Sequence, residues 1–173
     1  LDKQLTIAVR PTSMGCVGAL FDEQRVLRVT IGHPAPANAI RAIDEVDAHV
    51  VDDHDITHAQ TAIMDRLEAA LAGKEVAFSD VDLDLSHLRP FARRVAERCR
   101  QIPSGQTMTY AELAAACGSP AAARAVGNVM AKNRYPLIVP CHRVVGASGS
   151  LGGFSAPNGV EFKRQLLEAE SAA

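Results

Sequence analysis

A chain of 173 residues, 47% of them hydrophobic, can bury a core, which excludes a disordered segment and predicts one compact domain or two small ones. No apolar run approaches the roughly 18–20 residues that cross a bilayer, and residues 1–5 lack the basic and apolar regions of a secretory signal, so a cytoplasmic protein with no membrane partner is expected. The net charge of −2 hides a division: residues 1–88 hold 7 Lys+Arg against 15 Asp+Glu, a net of −8, and residues 89–173 hold 11 against 5, a net of +6.

In chain order, residues 5–9, 17–21 and 26–31 are short and rich in Val, Ile and Leu, with Gly and Asp22-Glu23-Gln24 between them, which predicts a meander of antiparallel strands. His33-Pro34-Ala35-Pro36 breaks that pattern. Over residues 57–71 the apolar positions fall at helical spacing, with Ile63, Leu67, Ala70 and Leu71 on one face and Gly73 as the stop, so one helix should pack on the sheet. His54 and His58 lie four apart beside several Asp residues; without further ligands at metal spacing they read as a polar helix start, and no metal site is assigned.

The second half changes to helices and short loops. Residues 90–101 form a basic helix closed by the turn residues Ile102-Pro103-Ser104-Gly105. Thr109-Tyr110-Ala111-Glu112 has the form of a capping box, and a short helix should follow to Cys117. Gly118, Ser119 and Pro120 then offer a terminating glycine, an N-cap and a first-turn proline, predicting a second helix over residues 120–132. Such a pair is a helix-turn-helix, a pattern shared with helical hairpins in cores; the basic half-chain around it favours nucleic acid. The second helix is built of small residues with Arg124 as the only long side chain near its start, so either its backbone can approach another body closely behind one probe, or it is an alanine-rich core helix with Arg124 in solvent.

Residues 136–139, Pro-Leu-Ile-Val, resemble a buried strand and run into Pro140-Cys141-His142-Arg143-Val144-Val145. Thiolate is the reactive form of cysteine, and an adjacent imidazole and guanidinium can take the proton or lower the thiol pKa. On the tripeptide alone a buried structural cysteine is the plainer reading. Cys16, Cys99, Cys117 and Cys141 are widely spaced with no CxxC pair, which suggests neither a disulfide framework nor a zinc cage and leaves Cys141 a free thiol in a reducing compartment.

Pro140-Cys141-His142-Arg143-Val144 resembles the active-site signature of the 6-O-alkylguanine-DNA alkyltransferases, also called methylated-DNA–protein-cysteine methyltransferases. Further features resemble that family in the same order: Ile102 to Tyr110, Arg124-Ala125-Val126-Gly127, Asn133 eight residues before the cysteine, the loop from Gly146 through Ser155, and Lys163 with Leu166, Leu167 and Glu170. The resemblance covers residues 90–170; the first half matches only in outline.

The resemblance implies an α+β fold: an N-terminal ribonuclease-H-like module, residues 1–88, of a short antiparallel sheet plus helix, then a mainly helical, winged helix-turn-helix-like active-site domain, residues 89–173. The implied activity is DNA repair by single-turnover transfer of the alkyl group of 6-O-methylguanine, and of 4-O-methylthymine, to Cys141 after the base is flipped from the duplex. By the same resemblance His142 takes the thiol proton through a water, Glu170 orients and charge-stabilises that imidazole, Tyr110 protonates or hydrogen-bonds the leaving base, and Asn133 ties the helix pair to the active-site loop. Arg124 is the implied finger that fills the space of the extruded nucleotide, while Ala123, Ala125, Gly127 and Asn128 present the helix to the minor groove. Val144, Gly152, Phe154, Ser155, Met130 and Pro136 are the implied pocket walls, with Arg143 bracing the loop. Double-stranded DNA carrying alkylated guanine is the implied partner of a monomer, with no cofactor and no metal.

Some positions depart from the family pattern. Phe154 stands where tyrosine is frequent, Arg134 where proline is common after Asn133, Ala96 where tryptophan is usual and Val129 where alanine is frequent; Ala156-Pro157-Asn158 lengthens the pocket loop by about two residues relative to that pattern. Three rival readings remain at this point. An alkyltransferase-like lesion binder shares the scaffold but carries another residue at the cysteine position. A cysteine hydrolase needs an oxyanion hole, and a plain helix-turn-helix regulator would make Cys141 incidental.

Overall fold

The computed structural model describes residues 4–44 and 47–173. Residues 1–3, part of the segment read above as lacking a secretory signal, lie outside the described residues. Three strands form the expected meander and are longer than their apolar cores suggest: β1 Leu5–Thr12, β2 Gly15–Asp22 and β3 Arg25–His33. Both neighbouring pairs are antiparallel. The period of two is visible in the packing, since Val17, Ala19 and Phe21 of β2 enter one apolar cluster while Leu20 enters another.

In the first half, two elements escaped the sequence reading. What looks like a break at His33-Pro-Ala-Pro36 is a helix start, with Pro36 in the first turn of α1 Pro36–Ile43, where its missing N–H costs nothing. This helix covers one sheet face through Ile40 and Ile43, against Ile7 and Leu20. The chain then returns as β4 Ala48–Val50, parallel to β1, so the sheet order is β3-β2-β1-β4. On the opposite face lies the expected helix, α2 His58–Leu71, opened by Thr57 and Gln60 in a reciprocal capping box. Its Ile63, Met64, Leu67 and Leu71 enter the cluster that holds Ala8, Val17, Ala19 and Phe21.

The second half contains α3 Pro90–Cys99, β5 Met108–Thr109, α4 Tyr110–Ala116 and α5 Ala123–Ala131. A 3₁₀ turn Cys141–Arg143, the strand β6 Val144–Val145, a second 3₁₀ turn Ala147–Gly149 and α6 Gly159–Ala172 follow. Thr109 and Glu112 make the predicted capping box on α4, and Gly118 takes the left-handed φ of +77° expected of a helix terminator. Two expectations are corrected. Ser119 does not cap the next helix: its carbonyl accepts the Ala122 N–H at 2.9 Å, an extra turn that delays α5 to Ala123. Leu137, Ile138 and Val139 are buried as expected, but residues 136–139 do not form a strand; Leu137 has φ +74° and the Val139 N–H returns to the Tyr135 carbonyl at 2.8 Å, winding the segment into a tight knot.

One apolar cluster draws on both halves, joining Phe21, Val29 and Ile31 of the sheet to Tyr135, Ile138 and Phe162. The Val29 N–H donates to the Arg134 carbonyl at 2.8 Å, and the Tyr135 hydroxyl donates to the Asp84 carbonyl. Gly73 is required by this contact: its φ is +81°, and a β-carbon there would stand 2.4 Å from the Ala169 carbonyl oxygen of α6. Among the described residues no helix is long and apolar enough to cross a membrane.

Candidate active site

Asn133, just past the end of α5, organises the knot that carries Cys141. Its Nδ2 donates to the Val139 carbonyl at 2.8 Å and its Oδ1 accepts the Tyr135 N–H at 3.0 Å, so both ends of one amide close the loop. Cys141 emerges from this knot with only 6% of its surface exposed, yet it is not sealed. It lines a cavity of about 440 Å³ together with Tyr110, Gly127, Met130, Gly152 and Phe154. It also lines a second cavity of about 490 Å³, toward the sheet, shared with Arg28, His33, Pro136, Ser155 and Ala156.

Directly behind the sulfur lies a buried polar network. His142 Nε2 meets Glu170 Oε1 at 2.7 Å, and Arg143 Nε and Nη2 donate to the same carboxylate at 2.7–3.1 Å. Arg143 also donates to the Ile102 carbonyl at 2.8 Å, so it braces the loop as expected. Burial alone would raise the Glu170 pKa, but the hydrogen bonds and charges of His142 and Arg143 outweigh it and hold the carboxyl down at about 2. An ionised carboxylate only accepts, so the proton of this hydrogen bond sits on His142 Nε2. Burial pushes the imidazole pKa down against the pull of Glu170, which favours the neutral ring, and Nδ1 carries its lone pair with no hydrogen-bond partner among the described residues.

Burial likewise raises the Cys141 thiol pKa, while the side chain of Asn133 and the charge of Lys163 act in the opposite sense. Lys163 is fully buried, donates to the Val144 carbonyl at 2.6 Å and has its ammonium 5.8 Å from the centre of the Tyr110 ring. Burial, then the neighbouring Cys141, pushes the Tyr110 hydroxyl up, so it stays a proton donor. Opposite that hydroxyl runs Gly152, with φ +70°. A β-carbon there would lie 2.6 Å from the tyrosine oxygen, so only glycine lets the loop pass so close.

A thiol on a braced loop, a neutral imidazole oriented by a carboxylate, and a phenol across a cavity make a group-transfer site. The second half of the chain, residues 90–172, matches the model of the DNA binding domain of 6-O-methylguanine DNA methyltransferase. The chain is similar to the methylated-DNA–protein-cysteine methyltransferase of Mycobacterium bovis, 45% identical over 114 residues that cover 66% of this chain and 67% of that one. Its fold is similar to the crystal structure of Mycobacterium tuberculosis OGT in complex with DNA, with a TM-score of 0.74 and 32% identity over 96% of this chain and 93% of that one. The chain belongs to the 6-O-methylguanine DNA methyltransferase family. A solved methyltransferase from the archaeon Pyrococcus kodakaraensis is similar over 95% of this chain and 98% of that one, with a TM-score of 0.72 and 25% identity.

Within this family frame, most residues singled out in the sequence converge on one place. Cys141, Tyr110, Met130, Gly152, Phe154 and Ser155 share the first cavity, with Asn133 and Pro136 on the second and His142 and Glu170 behind the sulfur. Two readings shift. Val144 is completely buried and lines neither cavity; what it offers is its carbonyl, which holds Lys163. Gly127, expected on the DNA-facing surface, lines the cavity beside the Tyr110 ring. The remaining α5 residues lie outside: Arg124, Ala125 and Asn128 are exposed and Ala123 is half-buried. Asp52, His54 and Asp55 cluster in an exposed loop, and His58 is not part of that group.

The role of Lys163 escaped the residue-by-residue reading. Its signal was the phase of α6: Phe162, Lys163, Leu166 and Glu170 share the buried face, and two charges on an apolar stripe must be paired inside.

Proposed function

We propose that this protein repairs alkylated DNA by moving the alkyl group of 6-O-methylguanine, and of 4-O-methylthymine, onto Cys141 in a single turnover. The carrying observation is the sulfur of Cys141 in the wall of a 440 Å³ cavity, with the His142–Glu170 pair behind it and the Tyr110 hydroxyl across it. A cavity of that size falls within the ~300–1,000 Å³ range of small-ligand pockets and suits an extruded purine.

At rest the thiol is neutral because burial disfavours its charge, and the base available to it is the His142 Nδ1 lone pair, reached through a bridging water. As that proton leaves, the sulfur attacks the saturated carbon: an S–C bond forms, the C–O bond breaks, and its electron pair passes to the base. The Tyr110 hydroxyl hydrogen-bonds and protonates the departing guanine, so a neutral base leaves, and the thiol proton, passed along by His142, restores the phenol. Glu170 fixes the imidazole tautomer and offsets the positive charge it gains. The product is a thioether, which none of these groups can cleave, so turnover stops at one.

The exposed small-residue face of α5 supports docking in the minor groove, with Arg124 entering the space vacated by the flipped nucleotide. Helices α4 and α5 are the helix-turn-helix of a winged active-site domain, residues 89–173. The order β3-β2-β1-β4, with only β1 and β4 parallel, supports a ribonuclease-H-like module in residues 1–88. The protein acts as a monomer, and its four unpaired cysteines suit a reducing, cytoplasmic compartment. The sulfur at position 141 speaks against a lesion binder without transfer activity.

Incubation with duplex DNA carrying a labelled 6-O-methyl group tests the reading. The expected result is one label per protein, on Cys141, absent in Cys141→Ser and accompanied by restored guanine. Repeated turnover, or label on another residue, would remove the proposal.

A further inference from the structure

A third cavity does not include Cys141, although Met130 and Asn133, which border the two cavities at the sulfur, also border it. It occupies about 290 Å³ between α3, α5 and the Asn133–Val139 knot, and its walls include Leu88, Ala92, Ala96, Val129, Met130 and Val139. Protein interiors close-pack, and an apolar space of this size is at the lower end of the ~300–1,000 Å³ typical of small-molecule pockets. Ala92 and Ala96, one turn apart on α3, create it by presenting methyl groups where a larger side chain would close the gap.

The mouth has a definite sign. Arg89, Lys132, Arg134 and His87 border it, and no carboxylate lines it. The three permanent cations are exposed, and none forms an ion pair with the described residues. The nearby Asp84 accepts the Ser86 N–H at 3.0 Å and does not line the cavity. The rings of His87 and Tyr135, 6.1 Å apart and tilted by 48°, form an aromatic corner at one side. A flat apolar body with an anionic end satisfies all of this: its ring lies against Ala96 and Met130, and its charge meets the unpaired cations.

We infer that the cavity between α3 and α5 is a binding site for a planar aromatic anion, separate from the Cys141 site. Two sources share this chemistry, an aromatic acid and a mononucleotide. Cys141 does not line the cavity, so occupancy there leaves the sulfur uncovered.

Calorimetric titration of the whole chain with naphthalene-2-sulfonate, 2-naphthol and deoxycytidine monophosphate tests it. The sulfonate should bind once per chain, with 2-naphthol at least about fivefold weaker because it lacks the charge. Ala96→Trp, which fills the space, should weaken the sulfonate at least about tenfold, and Arg89→Ala by about threefold. If thermal melting shows that Ala96→Trp does not fold, Ala92→Phe is measured in its place. Nucleotide binding with the same sensitivity identifies a mononucleotide as the source; binding of the sulfonate alone identifies an aromatic acid. The inference is overturned if neither anion binds saturably, if filling the cavity leaves binding unchanged, or if 2-naphthol binds as tightly as the sulfonate.

Discussion

Replacing Glu170 with glutamine tests whether the buried network, and not packing alone, holds the active-site loop. Glu170 is 8% exposed and takes hydrogen bonds from His142, Arg143 and the Gly105 N–H. Its carboxyl titrates at about 2 in the fold against an ordinary 4.5. A depression of about 2.5 pKa units, at about 1.36 kcal/mol each, corresponds to about 3 kcal/mol, the size expected when a buried pair loses one partner. For a depressed carboxyl the stabilisation is complete above the unfolded pKa and disappears as pH falls from about 4.5 to about 2. Glu170→Gln should therefore melt about 6–12 °C below the parent at pH 7, and the gap should close on acidification. Thermal unfolding of both proteins from pH 7 to pH 2.5 measures this directly. A gap under about 2 °C at neutral pH, or one that does not narrow in acid, would refute the reasoning. Methyl transfer should slow in the same variant, since the His142 tautomer loses its anchor.

Gly152→Ala places a β-carbon 2.6 Å from the Tyr110 oxygen at φ +70°; a backbone cost of about 1–2 kcal/mol should lower the melting temperature by about 2–8 °C and, by displacing the phenol, slow transfer at least about tenfold in the labelled-duplex assay. Asn133→Ala removes both bonds that close the knot, at about 1 kcal/mol each, so thermal denaturation should fall by about 4–8 °C with transfer reduced alongside. Arg124→Ala, at an exposed position, should leave stability within about 0.5 kcal/mol while weakening duplex repair at least about tenfold and sparing reaction with free 6-O-methylguanine; equal losses on the two substrates would contradict the finger role.

What could be read from the sequence divides along physical lines. Strands β1–β3, helix α2 and the Thr109–Glu112 capping box were legible because local pattern and local chemistry act together there: period two, period 3.6, and Thr with Glu three residues on. Helix α1 was not, because Pro36 reads as a breaker unless its place in the first turn is known. The 136–139 knot was mistaken for a strand since a run of Pro, Leu, Ile and Val carries no sign that Leu137 is left-handed; the tertiary tie through Asn133 decides it. In the site, the sulfur, imidazole, carboxylate and phenol were placed by motif and order. The inward ammonium of Lys163 and the shift of Val144 from wall to backbone support depend on how α6 packs against β6, a long-range contact.

The contact of Gly73 with α6 makes the first half of the molecule a scaffold for the second. Proteolytic nicking between β4 and α3 should leave the two pieces clasped, since the seam is apolar core and is not hinged at one point. The same seam offers an engineering route: separately expressed fragments should reassemble on mixing, and recovery of alkyl acceptance would report their union.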